Sequence, residues 1–416
     1  MHIDDIFKQW AVTHFESLLS ECARCDHSNR LESFRYRFQF VFIRFIVSME
    51  FTTLHSVDTE YSADSVEWCS TQDEHHAEYF ACGTYQLIEA EAESQTQRSR
   101  KGRIYLFAFD RQCGELNKLQ STETAAILDM KWLPAWTQDT GPLLATVNAL
   151  GQLEIYELLH QERRLVSRAS CELGTKTVED VPALALALDW QRKADEDVVE
   201  LLVSDSLGNV HRLHYTSQDE LRHQDHWHAH DFEAWTCAFD RWTRGVVYSG
   251  GDDCLLHAHD LRVEPTQRIW TNRAHDAGVT ALLSHPLHEH LLLTGSYDER
   301  LRVFDTRAMK RTIAELNLNG GIWRLKAHPK RNDLILAACM YTNFSVVDLA
   351  AAGGDNLSAN PKLLGTYLEH KSICYGADWA PFIDSNVSED TASRLHLATC
   401  SFYDHKLCLS RVDANI

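Results

Sequence analysis

Two stretches decide the reading: SGGDDCLLHAHD at 249–260 and TGSYDERLRVFD at 294–305. They align without a gap. The alignment reaches back to a histidine before each, His230 and His275, at a constant offset of 45 residues. Each stretch is an apolar run, an Asp-bearing turn (Gly251-Asp252-Asp253 or Tyr297-Asp298) and a second apolar run. Two β-prone runs joined by so short a turn predict a hairpin. A hairpin recurring at a fixed period predicts stacked sheets that cannot bury their apolar faces singly.

Working outward, five more segments carry the pattern less cleanly: 65–109, 126–158, 183–215, 321–349 and 373–412. Most begin with a run ending in tryptophan (SVEW, LDMKW, ALALDW, YGADW), followed by a polar gap and a hairpin with turn residues such as Leu207-Gly208-Asn209. Seven units predict an all-β, seven-bladed WD-repeat β-propeller over 49–416, with an irregular N-terminal extension, 1–48, that lacks the pattern. The run FTTLHSV at 51–57 precedes the first unit. It is expected to pair with the last blade as its outermost strand, closing the ring and protecting its edges. The polar stretches 89–101, 191–198, 216–229 and 351–361 are expected to link blades.

A formal charge of −20 over 416 residues disfavours phosphate backbones, which bind through Lys and Arg. No nucleic-acid partner is expected. No apolar run approaches the roughly 18 residues a membrane span needs; the best, FQFVFIRFIVSM at 38–49, is short and carries Arg44. Twelve cysteines, mostly inside apolar runs, suggest buried reduced thiols. A cytoplasmic monomer is expected. Cys22 and Cys25 form a CxxC without a second pair, a weak half-site for zinc.

WD blades commonly share a polar set: a turn Asp, a His before the first strand, a Ser or Thr four residues before the Asp, and a Trp after it. Here the sets are His230, Ser249 and Asp253; His275, Thr294 and Asp298; and, degenerately, His370, Cys400 and Asp404. Ser–His–Asp groupings imitate a hydrolase triad, but their plainer reading is mutual satisfaction in a half-buried turn. The histidine run RHQDHWHAHD at 222–231 reads as a surface loop, so no metal is expected there, and no cofactor elsewhere.

Beyond generic blade features, the chain resembles the diphthine methyl esterases of the diphthamide pathway. The resemblance rests on DTEYSADSVEWC (58–69), ACGTYQL (81–87), GGDDCLLHAHD (250–260), TGSYDERLRVFDTR (294–307), GGIWRLKAHP (320–329), LAACM (336–340), EHKSICYGADWAP (369–381) and ATCSFYDHKL (398–407). It implies a carboxylic ester hydrolase that removes the methyl ester from methylated diphthine on translation elongation factor 2, giving diphthine and methanol. That substrate carries a trimethylammonium group, which aromatic faces and carboxylates hold best. Trp323, Tyr341, Tyr375, Trp379, Phe402 and Tyr403 could supply the faces, and Asp378 or Glu369 the charge; core packing is the alternative for each tryptophan. Ester cleavage would draw on His370 as base, Asp378 as its partner, and Ser401 and His405 at the last turn. Arg324 and Lys326 could steady an oxyanion or the product carboxylate. The competing reading is a non-catalytic scaffold that recruits other modification or ubiquitin-ligase components.

Overall fold

The computed structural model describes residues 49–69, 76–88, 99–133, 141–192, 197–263, 267–351, 358–384 and 393–414. The extension 1–48, with Cys22 and Cys25, lies outside them. The described residues form seven four-stranded antiparallel sheets and no α-helix, the propeller that the repeats predict. The innermost strands are Ser62–Trp68, Ile127–Leu133, Ala185–Arg192, Thr236–Phe239, Val279–Ser284, Ile322–His328 and Cys374–Trp379. Each packs against the next, and the last against the first, so they ring a central channel.

Closure follows the expected route. Glu50–Asp58 pairs antiparallel with Lys406–Ala414 and becomes the outermost strand of blade seven. The first and last segments of the fold thus share one sheet.

The core is divided among the seven gaps between blades, each filled by its own apolar cluster. This is the physical content of the repeat: a blade's faces are buried only by its neighbours. The quoted stretches show how closely blades approach. A Cβ on Gly250 would stand 2.6 Å from Val279 Cγ1, and one on Gly295 2.5 Å from Ile322 Cγ2. The recurrent tryptophans close the same gaps. Trp132, Trp190 and Trp379 each donate their ring N–H to a carbonyl of the preceding blade, those of Glu67, Trp132 and Lys326. Inner-strand carboxylates tie blades in the other direction: Asp378, Asp129 and Asp189 accept from the backbone N–H of Trp68, Leu188 and Phe239.

The expected linkers are corrected. Residues 191–198 and 351–361 join strands within one blade, and the described part of 89–101 opens the strand Ser99–Asp110. The stretch 216–229 contains a whole strand, Leu221–His228, the outermost of blade three. Outermost strands are half exposed, as in Arg164–Glu172 and Leu221–His228, so their sequences lack the apolar density of the inner three.

Ten cysteines lie among the described residues, and seven of them are buried. No helix among the described residues is long and apolar enough to cross a membrane.

Candidate functional site

On six inner strands the register against the second strand slips by one residue, at Asp64, Leu128, Leu186, Thr280, Trp323 and Tyr375. Such a bulge takes a residue out of the ladder and re-aims its side chain. Blade four has Trp235 immediately before its inner strand Thr236–Phe239. One level of the ring, at the N-terminal ends of the inner strands, therefore carries Trp235, Trp323, Tyr375 and Asp64.

These groups meet across the channel mouth. The ring of Trp323 lies 5.0 Å from that of Tyr375 and 5.6 Å from that of Trp235, centroid to centroid. Blades four and six are not neighbours, so the Trp235–Trp323 contact spans the opening rather than a gap between blades. Tyr297 lies 6.2 Å from Trp235 and 6.1 Å from Trp323. Phe402 packs edge-on to Tyr375 at 5.4 Å, and Tyr403 to Phe402 at 5.0 Å. The result is a collar of half-buried aromatic rings, with Tyr403 exposed at its rim.

Carboxylates border the collar. Asp252 accepts the Trp235 ring N–H at 2.9 Å. Asp64 is buried at the same ring level, and burial pushes its carboxyl up to about 7, with Arg324 pulling down and Asp129 pushing up. Burial raises the Tyr297 phenol, helped by Asp252, and the Tyr375 phenol, helped by Asp64, so both rings are neutral at physiological pH. The buried Trp323 ring N–H has no hydrogen-bond partner. Such a donor costs about 1–3 kcal/mol unless something satisfies it. Neutral aromatic faces beside carboxylates suit a cation that cannot donate hydrogen bonds.

The other end of the inner strands is different in kind. Trp323 and Lys326, like Tyr375 and Asp378, are separated by about 10 Å of strand. There a cavity of about 810 Å³ is lined by Glu67, Lys131, Asp189, Lys326 and Asp378, among others. Lys131 pairs with Asp189 at 3.0 Å, and Lys326 pairs with Glu67. Burial opposes the Lys326 charge, but Asp378 and Glu67 outweigh it and hold the ammonium above its ordinary range. Between the two ends, Arg324 crosses the channel to Asp129 at 3.0 Å and to the Leu128 carbonyl at 3.0 Å.

The residues expected from the sequence thus separate into four groups. Trp323, Tyr375, Phe402 and Tyr403 come together in the collar. Arg324 and Lys326 are tied into channel pairs below it, with Asp378 beside Lys326. Trp379 is core: it is fully buried and its ring N–H is spent on the Lys326 carbonyl at 3.2 Å.

His370 and Ser401 form the last group, away from Asp378. His370 is buried, with Nδ1 at 2.6 Å from Ser401 Oγ and Nε2 at 2.8 Å from Thr399 Oγ1. Ser401 in turn donates to Asp404 at 2.5 Å. A hydrolase triad places histidine between serine and carboxylate. Here the serine is the middle member, so its proton points at Asp404 and not at the imidazole. Burial pushes His370 down to about 4. The degenerate set with Cys400 is corrected: Thr399 and Ser401 supply the hydroxyls that His370 meets. Asp378, expected to orient His370, instead accepts from the N–H of Trp68 at 2.7 Å and of Trp379 at 2.9 Å. His405 is a turn residue at φ 52° whose carbonyl accepts the Thr59 N–H at 2.9 Å.

The polar sets of the matched blades also resolve. His230 joins Asp253 at 3.0 Å and Ser249 at 2.9 Å. In blade five His275 keeps Thr294 at 2.8 Å, but Asp298 turns to Arg302 at 2.7 Å. Sequence reasoning missed Trp235, Tyr297 and Asp64. The available signal was positional: Trp235 and Asp64 occupy the place in their repeats that Trp323 and Tyr375 occupy in theirs.

No family model matches the chain. Curated relatives do. The human protein is 37% identical over 345 residues, covering 79% of this chain and 74% of its own, and is named diphthine methyltransferase. A Dictyostelium discoideum protein, named diphthine methyltransferase homolog, is 31% identical over 380 residues, 84% of this chain and 96% of its own. A Schizosaccharomyces pombe protein, also named diphthine methyltransferase, is 30% identical over 330 residues, 79% of this chain and 89% of its own. Among solved structures, a chain of the mitotic checkpoint complex superposes with a TM-score of 0.57 at 16% identity, over 87% of this chain and 92% of that one, which bears on the fold alone. The relatives' names specify methyl transfer, so the expected ester hydrolase, and with it a carboxylesterase role for His370, Ser401 and their neighbours, is withdrawn. At this level of identity and coverage, the chain belongs to the diphthine methyltransferase family.

Proposed function

We propose that this chain takes part in methyl transfer at diphthine, and that the aromatic collar is where it holds the diphthine side chain. The observation that carries the reading is the convergence of Trp235, Trp323 and Tyr375 from three blades, beside Asp64 and Asp252. Diphthine bears a quaternary ammonium, and a cage of neutral rings with nearby carboxylates selects that group over a primary amine, which needs hydrogen-bond acceptors. On this reading the modified residue belongs to elongation factor 2, a large folded protein, and a propeller's broad face suits such a partner.

Mass spectrometry of the diphthine-bearing peptide tests this. Incubating the elongation factor with this chain and a methyl donor should change the modified residue by one methyl mass. Trp323→Ala should suppress the change. A mass unaltered by the chain under every donor condition would sink the reading.

A further inference from the structure

Blade three carries a histidine cluster that the collar does not use. His211 lies on the strand Asn209–Thr216, and His223 and His226 on the outermost strand Leu221–His228. Three residues apart on a regular strand, His223 and His226 would face opposite sides. A register slip between Arg212 and Leu213 changes this: His211 pairs with His226, and Leu213 with His223, leaving Gln224 as the extra residue. His223 and His226 therefore share the face of His211. The slip recurs between the two outer strands of other blades, for example at Ala258/His259 and Val303/Phe304. Among the described residues, blade three alone gathers three imidazoles by it.

The three rings lie 5.2–5.8 Å apart, and one nitrogen from each comes within 4.8 Å of the others. His211 is fully buried, and its Nε2 is held at 2.9 Å by Asp205, itself fully buried. That contact places the His211 proton on Nε2 and leaves the Nδ1 lone pair facing His223 Nε2, 3.0 Å away. Carboxylate, imidazole, then an open lone pair is the arrangement that orients metal-binding histidines.

Two other groups come as close and do not serve. In His230, Asp253 and His257, both His230 nitrogens are spent on Asp253 and Ser249. In His285, His288 and Asp333, His285 accepts two backbone N–H groups at Nδ1 and meets the Asn332 carbonyl at Nε2.

We propose that His211, His223 and His226 form a site for a divalent transition metal of the zinc class. Three imidazoles suit zinc, and three protein ligands leave a fourth position for water. The exposed His226 is the solvent side of the site. On binding, the proton between His211 and His223 moves from His223 Nε2 to its Nδ1, freeing Nε2 for the metal, which clasps the edge strand of blade three to its neighbour.

The test uses the full chain, stripped with chelator and titrated with Zn²⁺ by calorimetry and with Co²⁺ by visible absorption. One equivalent should bind with a nitrogen–oxygen ligand field and no thiolate charge-transfer band. His226→Ala and His226→Gln should weaken that equivalent at least tenfold without altering the circular dichroism, because His226 is exposed. His214→Ala should not, because His214 faces away toward Glu200. Mg²⁺ should not compete. Absence of saturable binding, or binding unchanged in both His226 variants, would overturn the site.

Discussion

Trp323 and Tyr375 stand at matching bulges of neighbouring inner strands, and that shared displacement brings their rings within 5.0 Å at the channel mouth. Bulges recur in the repeat for reasons of blade geometry, and three of the seven places at the ring level are filled by Leu128, Leu186 and Thr280, which bring no aromatic ring to the mouth. The collar exists because aromatic residues occupy the equivalent place in blades four, six and seven.

Trp323→Ala should remove the centre of the collar while leaving the propeller folded. A desolvated cation–π contact is worth about 0.5–2 kcal/mol. A peptide bearing a trimethylammonium group should accordingly bind about 2- to 30-fold more weakly, and Trp323→Phe should recover part of the loss. Calorimetric titration reads both. Equal affinity in wild type and Trp323→Ala would place the cation elsewhere.

Asp64 gives the same site a pH dependence. Its carboxyl is pushed up to about 7 by burial, so it gains charge as pH rises through neutrality. Affinity for a trimethylammonium peptide should increase from pH 6 to pH 8, and Asp64→Asn should flatten the profile. Stability moves the other way. The folded chain keeps a proton that the unfolded chain releases near the ordinary value of 3.8, so this group's contribution is lost as pH rises from there to about 7. Asp64→Asn should gain stability relative to wild type across that window in urea melts. A flat wild-type binding profile would contradict the assignment.

Much of this was legible in the chain. Second strands announce themselves because both faces are buried: Leu143–Asn148 and Leu291–Ser296 are buried throughout, and each opens on an apolar run. Ring closure by 51–57 followed from an unpaired strand before the first blade. Outermost strands were not legible, because Leu221–His228 alternates exposure and reads as a polar loop. The polar set of blade seven was misplaced by one residue: a fixed offset from Asp404 selects Cys400, whereas His370 reaches the flanking Thr399 and Ser401. The collar was half legible. An aromatic residue in a repeat is core or lining according to which side of a bulge it falls, as Trp379 and Tyr375 show within one strand.

Ser401 separates structural from chemical roles in blade seven. Its hydroxyl bridges His370 and Asp404, and removing it leaves a buried imidazole N–H and a carboxylate oxygen without that partner. Ser401→Ala should lower unfolding stability by about 1–3 kcal/mol, a clear shift in denaturant midpoint. The folded variant should still bind the trimethylammonium peptide as wild type does. Normal stability combined with lost peptide binding would move Ser401 into the site.

The pair Lys326–Glu67 joins blades six and one across the channel, so its worth can be measured apart from any neighbour packing. The Lys326 side chain is 18% exposed and that of Glu67 7%, so both are largely out of water. Removing one partner of a buried pair costs about 3–5 kcal/mol, because the other charge is stranded, whereas exchanging both for apolar residues of similar volume is often neutral. Lys326→Ala should therefore unfold at markedly lower urea, since it strands Glu67 and also strips Asp378 of its nearby cation. The double variant Lys326→Met, Glu67→Leu should recover most of that loss, because Asp378 keeps the N–H groups of Trp68 and Trp379. A double-mutant cycle supplies the coupling directly. Losses that simply add would mean the two residues act separately, and the channel pair would then be a contact without energetic weight.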